Sequence, residues 1–240
     1  MNFRFIAPRL ATQSKTAPAW RDHAHVPVAR VLDASRCRQL ADLVLTAHEA
    51  GQSWPSRTRY AAGSDWNINN GFRSSKNLPP SMEGLAAGYD ALDAYARTAV
   101  ESLADGVSGQ DLVAVDEQCL IYQQGDHIGE HADDSALAPT DEGDAAWQVI
   151  KPERHLVGIT WLTTQTDDGA DRYTFAGGTF RFNSLVDAET GQPLDIRPAA
   201  GDTILFPANP WFRHEVLPVL AGNRIALTRW WKVSSPATAH

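Results

Sequence analysis

Apolar residues recur at helical spacing in the first half of the chain. From about residue 112 they gather into short β-prone runs separated by Gly, Pro, Asn and Asp. Leu40, Leu43, Val44 and Ala47 fall at i, i+3, i+4 and i+7, which predicts a helix with Asp33 or Ser35 as its N-cap and an end near Gly51. A second stripe, Leu85, Tyr89, Leu92, Tyr95, Ala99 and Val100, predicts a helix over 85–103 with Gly106 beyond its end. The polar stretch 64–80 between them is rich in Asn, Gly and Ser. It reads as a long loop or lid with one short strand around Phe72-Arg73-Ser74, and as a candidate substrate-facing segment.

Further along, the spacing predicts eight strands, at 120–123, 127–133, 155–164, 178–183, 194–197, 203–207, 214–219 and 224–233. The expected fold class is therefore mainly β with flanking helices (α+β), built as a sandwich or barrel. Residues 134–153 are acidic and loop-like, with Pro139 and Gly143, and interrupt this spacing; they read as a mobile insertion. The organisation expected is one domain over 1–240, with 1–111 as a mostly helical support and lid region and 112–233 as the core.

Composition narrows the function classes. With 43% hydrophobic and 21% charged residues the chain is of ordinary globular type, so disorder is not expected. A net charge of −8 and the lack of an obvious basic patch argue against nucleic acid or anionic membrane as main partners. Cys37 and Cys119 are the only cysteines, too few for a disulfide framework, and read as buried, inert thiols in a reducing cytoplasmic setting. The N-terminus lacks a signal-like apolar stretch and no later segment is long enough to span a bilayer, so a soluble, unexported protein is expected.

The first chemical signal is His131-Ala132-Asp133, because residues at i and i+2 of a strand share a face and both reach one metal ion; alone, it also fits a solvated strand end. A second signal is His214 with Arg224 ten residues later. Residues 220–223, containing Gly222, read as the turn of a hairpin that sets His214 and Arg224 on adjacent strands. On the second strand Arg224, Ala226, Thr228 and Trp230 share one face, and Ile225, Leu227, Arg229 and Trp231 the other. An inward arginine calls for an anion, either an internal acid or a small-molecule carboxylate, unless the register turns it to solvent. Two histidines and one carboxylate with coordination positions left open is the facial arrangement of non-haem Fe(II) oxygenases.

Segments 122–133 and 214–219, with Arg224 following, resemble the prolyl 4-hydroxylase-like branch of the 2-oxoglutarate/Fe(II)-dependent dioxygenases. Residues 176–180 and 200–207 resemble its middle strands, so the likeness covers roughly 112–233. The resemblance implies a double-stranded β-helix (jelly-roll) core, with Fe(II) held by His131, Asp133 and His214. It also implies 2-oxoglutarate on that iron with its distal carboxylate at Arg224, dioxygen as the other cosubstrate, and ascorbate as a possible accessory. By the same likeness Tyr122 and Thr228 hydrogen-bond the cosubstrate and Trp230 walls the pocket. The implied reaction is oxidative decarboxylation of 2-oxoglutarate to succinate and CO2, coupled to hydroxylation of an unactivated C–H bond. Halogenating relatives lack the carboxylate that Asp133 supplies, which favours hydroxylation.

Substrate candidates are fewer. Arg73 resembles a position near the active-site entrance and would hold a substrate carboxylate, or instead pair at the surface with the acidic insertion. His127, four residues before His131, is placed on the same face at the rim; Asp134, Asn209 and Trp211 are placed at the mouth. His155 reads as structural, and His23, His25, His48 and His240 as surface residues. The expected substrate is an amino-acid-like small molecule or a peptidyl side chain, prolyl-type among the possibilities. Competing readings are a non-catalytic jelly-roll metal- or ligand-binding module, a nucleic-acid repair enzyme that the charge disfavours, and a zinc hydrolase that leaves Arg224 unexplained.

Overall fold

Alternating burial on the Arg224–Val233 strand sets the architecture. Ala226 and Trp230 enter an apolar core between two sheets, while Ile225 and Leu227 enter a second core beneath a helix. The protein was analysed as a computed structural model that describes residues 5–6, 28–59, 65–103, 107–139, 144–187 and 191–234. The major sheet is antiparallel and runs in the order Val28–Arg30, Asp202–Pro207, Leu156–Trp161, Arg224–Val233, Leu112–Tyr122, Lys76–Leu78, Trp54–Pro55. The minor sheet runs Phe5–Ile6, Phe180–Asp187, His214–Val216, Ile128–His131, with Pro193–Ile196 also paired to Phe180–Asp187. Phe180, Phe182 and Val216 from the minor sheet meet Leu120, Ile159 and Trp161 from the major sheet, giving a jelly-roll sandwich.

Helices α1 (Ala34–Glu49) and α2 (Ala86–Leu103) cover the outer face of the major sheet. The Asp33 side chain caps α1 by accepting from Arg36 N, and Leu40, Val44 and Ala47 are buried, whereas Leu43 lies off the stripe and is exposed. Leu92, Ala96 and Val100 of α2 pack on Trp231 and Leu205. Gly158 permits that approach: a Cβ there would lie 2.8 Å from Leu92 Cδ1 and 2.9 Å from the Trp231 ring. Cys37 and Cys119 are buried free thiols. Among the described residues no helix is long and apolar enough to cross a membrane.

Three sequence expectations change. The strands bearing His214 and Arg224 do not form a hairpin: His214–Val216 pairs within the minor sheet, and Arg224–Val233 lies at the centre of the major one. Between them Val219–Gly222 pairs with Thr174–Gly177, so the chain crosses from one sheet to the other. Pro218, which has no N–H to donate, marks the break. Residues 134–153 are not an unstructured insertion: Ser135–Pro139 pairs with Ala145–Val149 in a hairpin whose base is tied by Ile150 N and Lys151 N to Asp134 O at 2.8 and 2.9 Å. In the 64–80 stretch Arg73 makes only an isolated bridge to Ile128, and the regular strand is Lys76–Leu78. The N-terminal part thus supplies strands to both sheets besides its helices.

Candidate active site

His131 and His214 face each other because their strands pair in register, His214 opposite His131 and Val216 opposite Ile128. Two residues separate one pair and one the other, so the Ile128–His131 strand carries an irregularity that turns both Ile128 and His131 inward. Asp133 lies just past the strand end. Its backbone N–H donates to Ala208 O (3.0 Å) and its carbonyl accepts from Arg154 Nη1 (3.2 Å), which fixes the turn. His131 Nδ1 contacts Gly129 O at 3.0 Å and His214 Nδ1 contacts Phe212 O at 2.9 Å. A carbonyl only accepts, so each Nδ1 carries the proton and each Nε2 is left as a lone-pair donor.

Ligand atoms of His131, Asp133 and His214 all lie within 4.8 Å of one another. Burial lowers the pKa of both histidines, with the neighbouring His214 adding to the effect on His131, so both rings are neutral at pH 7. The His214 ring stacks on Phe180 at 4.7 Å and meets Phe206 edge-on at 5.2 Å. Asp133 Oδ2 is buried without a hydrogen-bond partner among the described residues, 3.8 Å from His214 Nε2. An orphaned carboxylate oxygen beside two neutral imidazole nitrogens is a donor set that fits a divalent metal.

The three side chains open on a cavity of about 350 Å³ that Arg224, Thr228, Tyr122 and Trp230 also line. Arg224 is buried on the opposite sheet, Nε donating to Gly178 O at 3.0 Å, with its guanidinium 4.9 Å from the Tyr122 ring and 5.8 Å from that of Trp161. Gly178 has φ +58°, and a Cβ there would stand 2.9 Å from Val219 Cγ2 and 3.1 Å from Arg224 Cδ. Burial lowers the Arg224 pKa to about 10. Trp230 carries the Arg154 guanidinium 3.9 Å above its ring.

Arg73 lines the cavity and does not pair with the acidic hairpin: Nε donates to Ser75 Oγ (3.0 Å) and Nη2 to Gln118 Oε1 (3.2 Å). Three other candidates lie off the cavity wall. His127 precedes the strand irregularity, so it does not share the face of His131; its ring contacts Gly71 O and Gly125 O and its backbone holds Ser74. Asp134 turns away to accept from Ser135 Oγ at 2.6 Å, and burial raises its pKa to about 7. Trp211 is packed in the inter-sheet core, on a short helical turn that Asn209 caps through its Oδ1. His48 is bonded to Ser53 and Gln123 rather than free at the surface, His155 ties Val233 N to Pro152 O, and His23, His25 and His240 lie outside the described residues. Sequence reasoning missed Gln118, Trp66, and the hairpin residues Leu137 and Trp147, all of which line the cavity. Inward alternation from Tyr122 through Leu120 was the signal available for Gln118.

Residues 118–232 match the family described as the 2OG-Fe(II) oxygenase superfamily. This segment is a 2OG-Fe(II) oxygenase domain. Curated proteins gave no sequence match. The oxygenase chain is similar in structure to a Pseudomonas putida prolyl-4-hydroxylase (TM-score 0.57, 21% identity, covering 86% of this chain and 92% of that one). It is also similar to a Trichoplax adhaerens prolyl hydroxylase in complex with a hypoxia inducible factor oxygen degradation domain peptide fragment (0.56, 16%, 87% and 83%). A third likeness is to the viral collagen prolyl hydroxylase of Paramecium Bursaria Chlorella virus-1 in its 2OG complex (0.53, 16%, 87% and 96%). At these identities the likeness is one of fold. A domain of this family implies iron(II), 2-oxoglutarate and dioxygen, and the His131, Asp133 and His214 donor set fits the iron.

Proposed function

We propose that this oxygenase hydroxylates an unactivated C–H bond of an amino-acid-like small molecule or a peptidyl side chain, converting 2-oxoglutarate and O2 into succinate and CO2. One oxygen atom enters the new hydroxyl group and the other enters succinate, so the reaction balances without an external reductant. The observation that carries the reading is the buried, unpartnered Asp133 carboxylate meeting two neutral imidazoles inside a cavity whose far wall holds a buried guanidinium.

In this reading His131, Asp133 and His214 hold the iron, which supplies dioxygen activation when bound. Arg224 takes the distal carboxylate of 2-oxoglutarate, the hydroxyls of Tyr122 and Thr228 supply further hydrogen bonds, and Trp230 closes the wall. Phe180 and Phe206 keep the His214 ring in one orientation, and the Arg154 contact to the Asp133 carbonyl keeps that carboxylate on the cavity side. The structural neighbours described above are prolyl hydroxylases, one of them with a bound peptide, which supports an amino-acid-like or peptidyl substrate. We read the chain as one unit in which 1–111 supports and roofs the catalytic core of 112–233. Two buried free thiols suit a cytoplasmic setting.

Succinate release, measured with Fe(II) and 2-oxoglutarate across free amino acids and proline-containing peptides, tests this. Substrate-dependent turnover is expected in the natural chain and none in Asp133→Ala, together with loss of bound metal by elemental analysis. Equal turnover in both proteins would overturn the assignment.

A further inference from the structure

The chain is negative but its cavity is not. Arg57, Arg59, Arg73, Lys151, Arg154 and Arg224 line the cavity, against Glu130 and Asp133. Part of this charge already has a partner. Arg154 and Lys151 reach Asp116 at 2.6 and 3.4 Å, Lys151 also reaches Glu153, and Glu130 pairs with Arg213. Arg224 belongs to the cosubstrate and Asp133 to the metal in the reading above.

Arg73 is held differently. Its hydrogen bonds among the described residues go to two neutral groups, Ser75 Oγ and Gln118 Oε1, which hold the guanidinium in place and leave N–H donors unspent. It lines the same cavity as His131, Asp133 and His214, near enough for the negative charge of Asp133 to act on it. The loop that carries it is docked firmly: Gly129 N donates to Phe72 O at 2.8 Å, and a Cβ on Gly129 would touch the Phe72 ring at 3.0 Å. Among the described residues no ion pair holds this half-buried cation, and the acid whose charge reaches it, Asp133, is spent once a metal takes that carboxylate. A second donor points the same way. Trp230 Nε1 is buried without a hydrogen-bond partner among the described residues, and Trp230 lines the same cavity two residues along the strand from Thr228, which pairs with Gln118.

We propose that the substrate presents a free carboxylate to Arg73, so that the enzyme acts on a free amino acid or a similarly small carboxylic acid rather than on a residue within a peptide. The inference rests on the oxygenase reading above. Arg224 on the far wall takes one carboxylate and Arg73 near the metal ligands takes the other. A carboxylate bound in the same cavity as the metal ligands lies within a few bonds of the C–H bond it helps to aim, as the α-carboxylate of a free amino acid does. The size of the cavity agrees: at about 350 Å³ it is at the low end for small-molecule sites and must also admit 2-oxoglutarate. Trp66 and Trp147 crowd its mouth, where the Lys151 ammonium sits 5.7 Å from the Trp66 ring.

Calorimetric titration of the full chain loaded with Mn(II) and 2-oxoglutarate tests this. The probes are the free L-amino acids, their carboxamides, and an N-acetyl-prolinamide and a capped proline tripeptide. At least one free acid is expected to bind, with its carboxamide at least about tenfold weaker, the worth of one charge-assisted hydrogen bond. Arg73→Gln is expected to weaken that acid by a similar factor while 2-oxoglutarate affinity stays within twofold, which also certifies the fold. Equal binding of acid and carboxamide, tighter binding of the capped peptide, or failure of every free acid while 2-oxoglutarate still binds would overturn the proposal. Failure of 2-oxoglutarate itself to bind would instead strike the oxygenase reading and this inference with it.

Discussion

Replacing Arg224 by Met is expected to leave the ligand-free protein as stable as before or more so, while 2-oxoglutarate binding collapses. The residue is 2% exposed, its Nε donates to the Gly178 carbonyl, and aromatic rings surround its guanidinium. Desolvating a charged group costs several kcal/mol, and exchanging buried charges for apolar groups of similar volume is often neutral or stabilising by about 1–4 kcal/mol. Losing the Gly178 bond takes back about 1 kcal/mol. The net expectation is a gain of roughly 0–3 kcal/mol, or about 0–10 °C in melting temperature for a chain of this size. Binding moves the other way: a hydrogen bond to a charged group is worth about 1.5–3 kcal/mol, so affinity for 2-oxoglutarate should fall by at least about tenfold. Scanning calorimetry of the metal-free protein and titration of the Mn(II)-loaded protein read the two effects separately. A melting temperature lowered by more than about 5 °C would show that Arg224 is structural. Unchanged 2-oxoglutarate affinity would show that the diacid sits elsewhere.

Burial pushes Cys37 to about 11 and Cys119 to about 12, so at pH 8 fewer than about one thiol in a hundred is ionised; mass spectrometry after iodoacetamide should find both unmodified in the folded protein and both alkylated in urea. Asp116 is raised by burial but lowered more by Arg154 and Lys151, for a net fall below 3.8. Its stabilising contribution is therefore present above the ordinary carboxylate range and lost as the pH drops through the folded value. Asp116→Asn should flatten the acid limb of the melting-temperature curve by a small amount, since the group is partly exposed. Gly158→Val should destabilise by about 1–3 kcal/mol through overpacking against Leu92 and Trp231, and denaturant titration should show a lower midpoint.

That His131, Asp133, His214 and Arg224 face one cavity was legible in the sequence because residue type and spacing single them out. Inward alternation on the Arg224–Val233 strand was equally plain, since an eleven-residue partner, Leu112–Tyr122, keeps it regular until Trp230. What failed depended on partners distant in sequence. Ten residues between His214 and Arg224 look like a hairpin, yet each strand finds its neighbours elsewhere because both bury a face in the same inter-sheet core. His127 was misplaced by a strand irregularity that no local pattern announces. The 135–149 hairpin was hidden by Pro139 and by Leu137 and Val149, which are exposed and so break the expected alternation. Trp211 looked like a mouth residue only because it is close to His214 along the chain.

His131 and His214 sit on one sheet and Arg224 on the other, so the binding mode proposed above would give the diacid a mechanical role. A molecule gripped at both ends becomes a strut across the sandwich, and the two layers lose freedom to slide as soon as it arrives. Filling the gap should therefore slow amide exchange in both layers together, so that rigidity comes with loading and the empty fold remains the looser one.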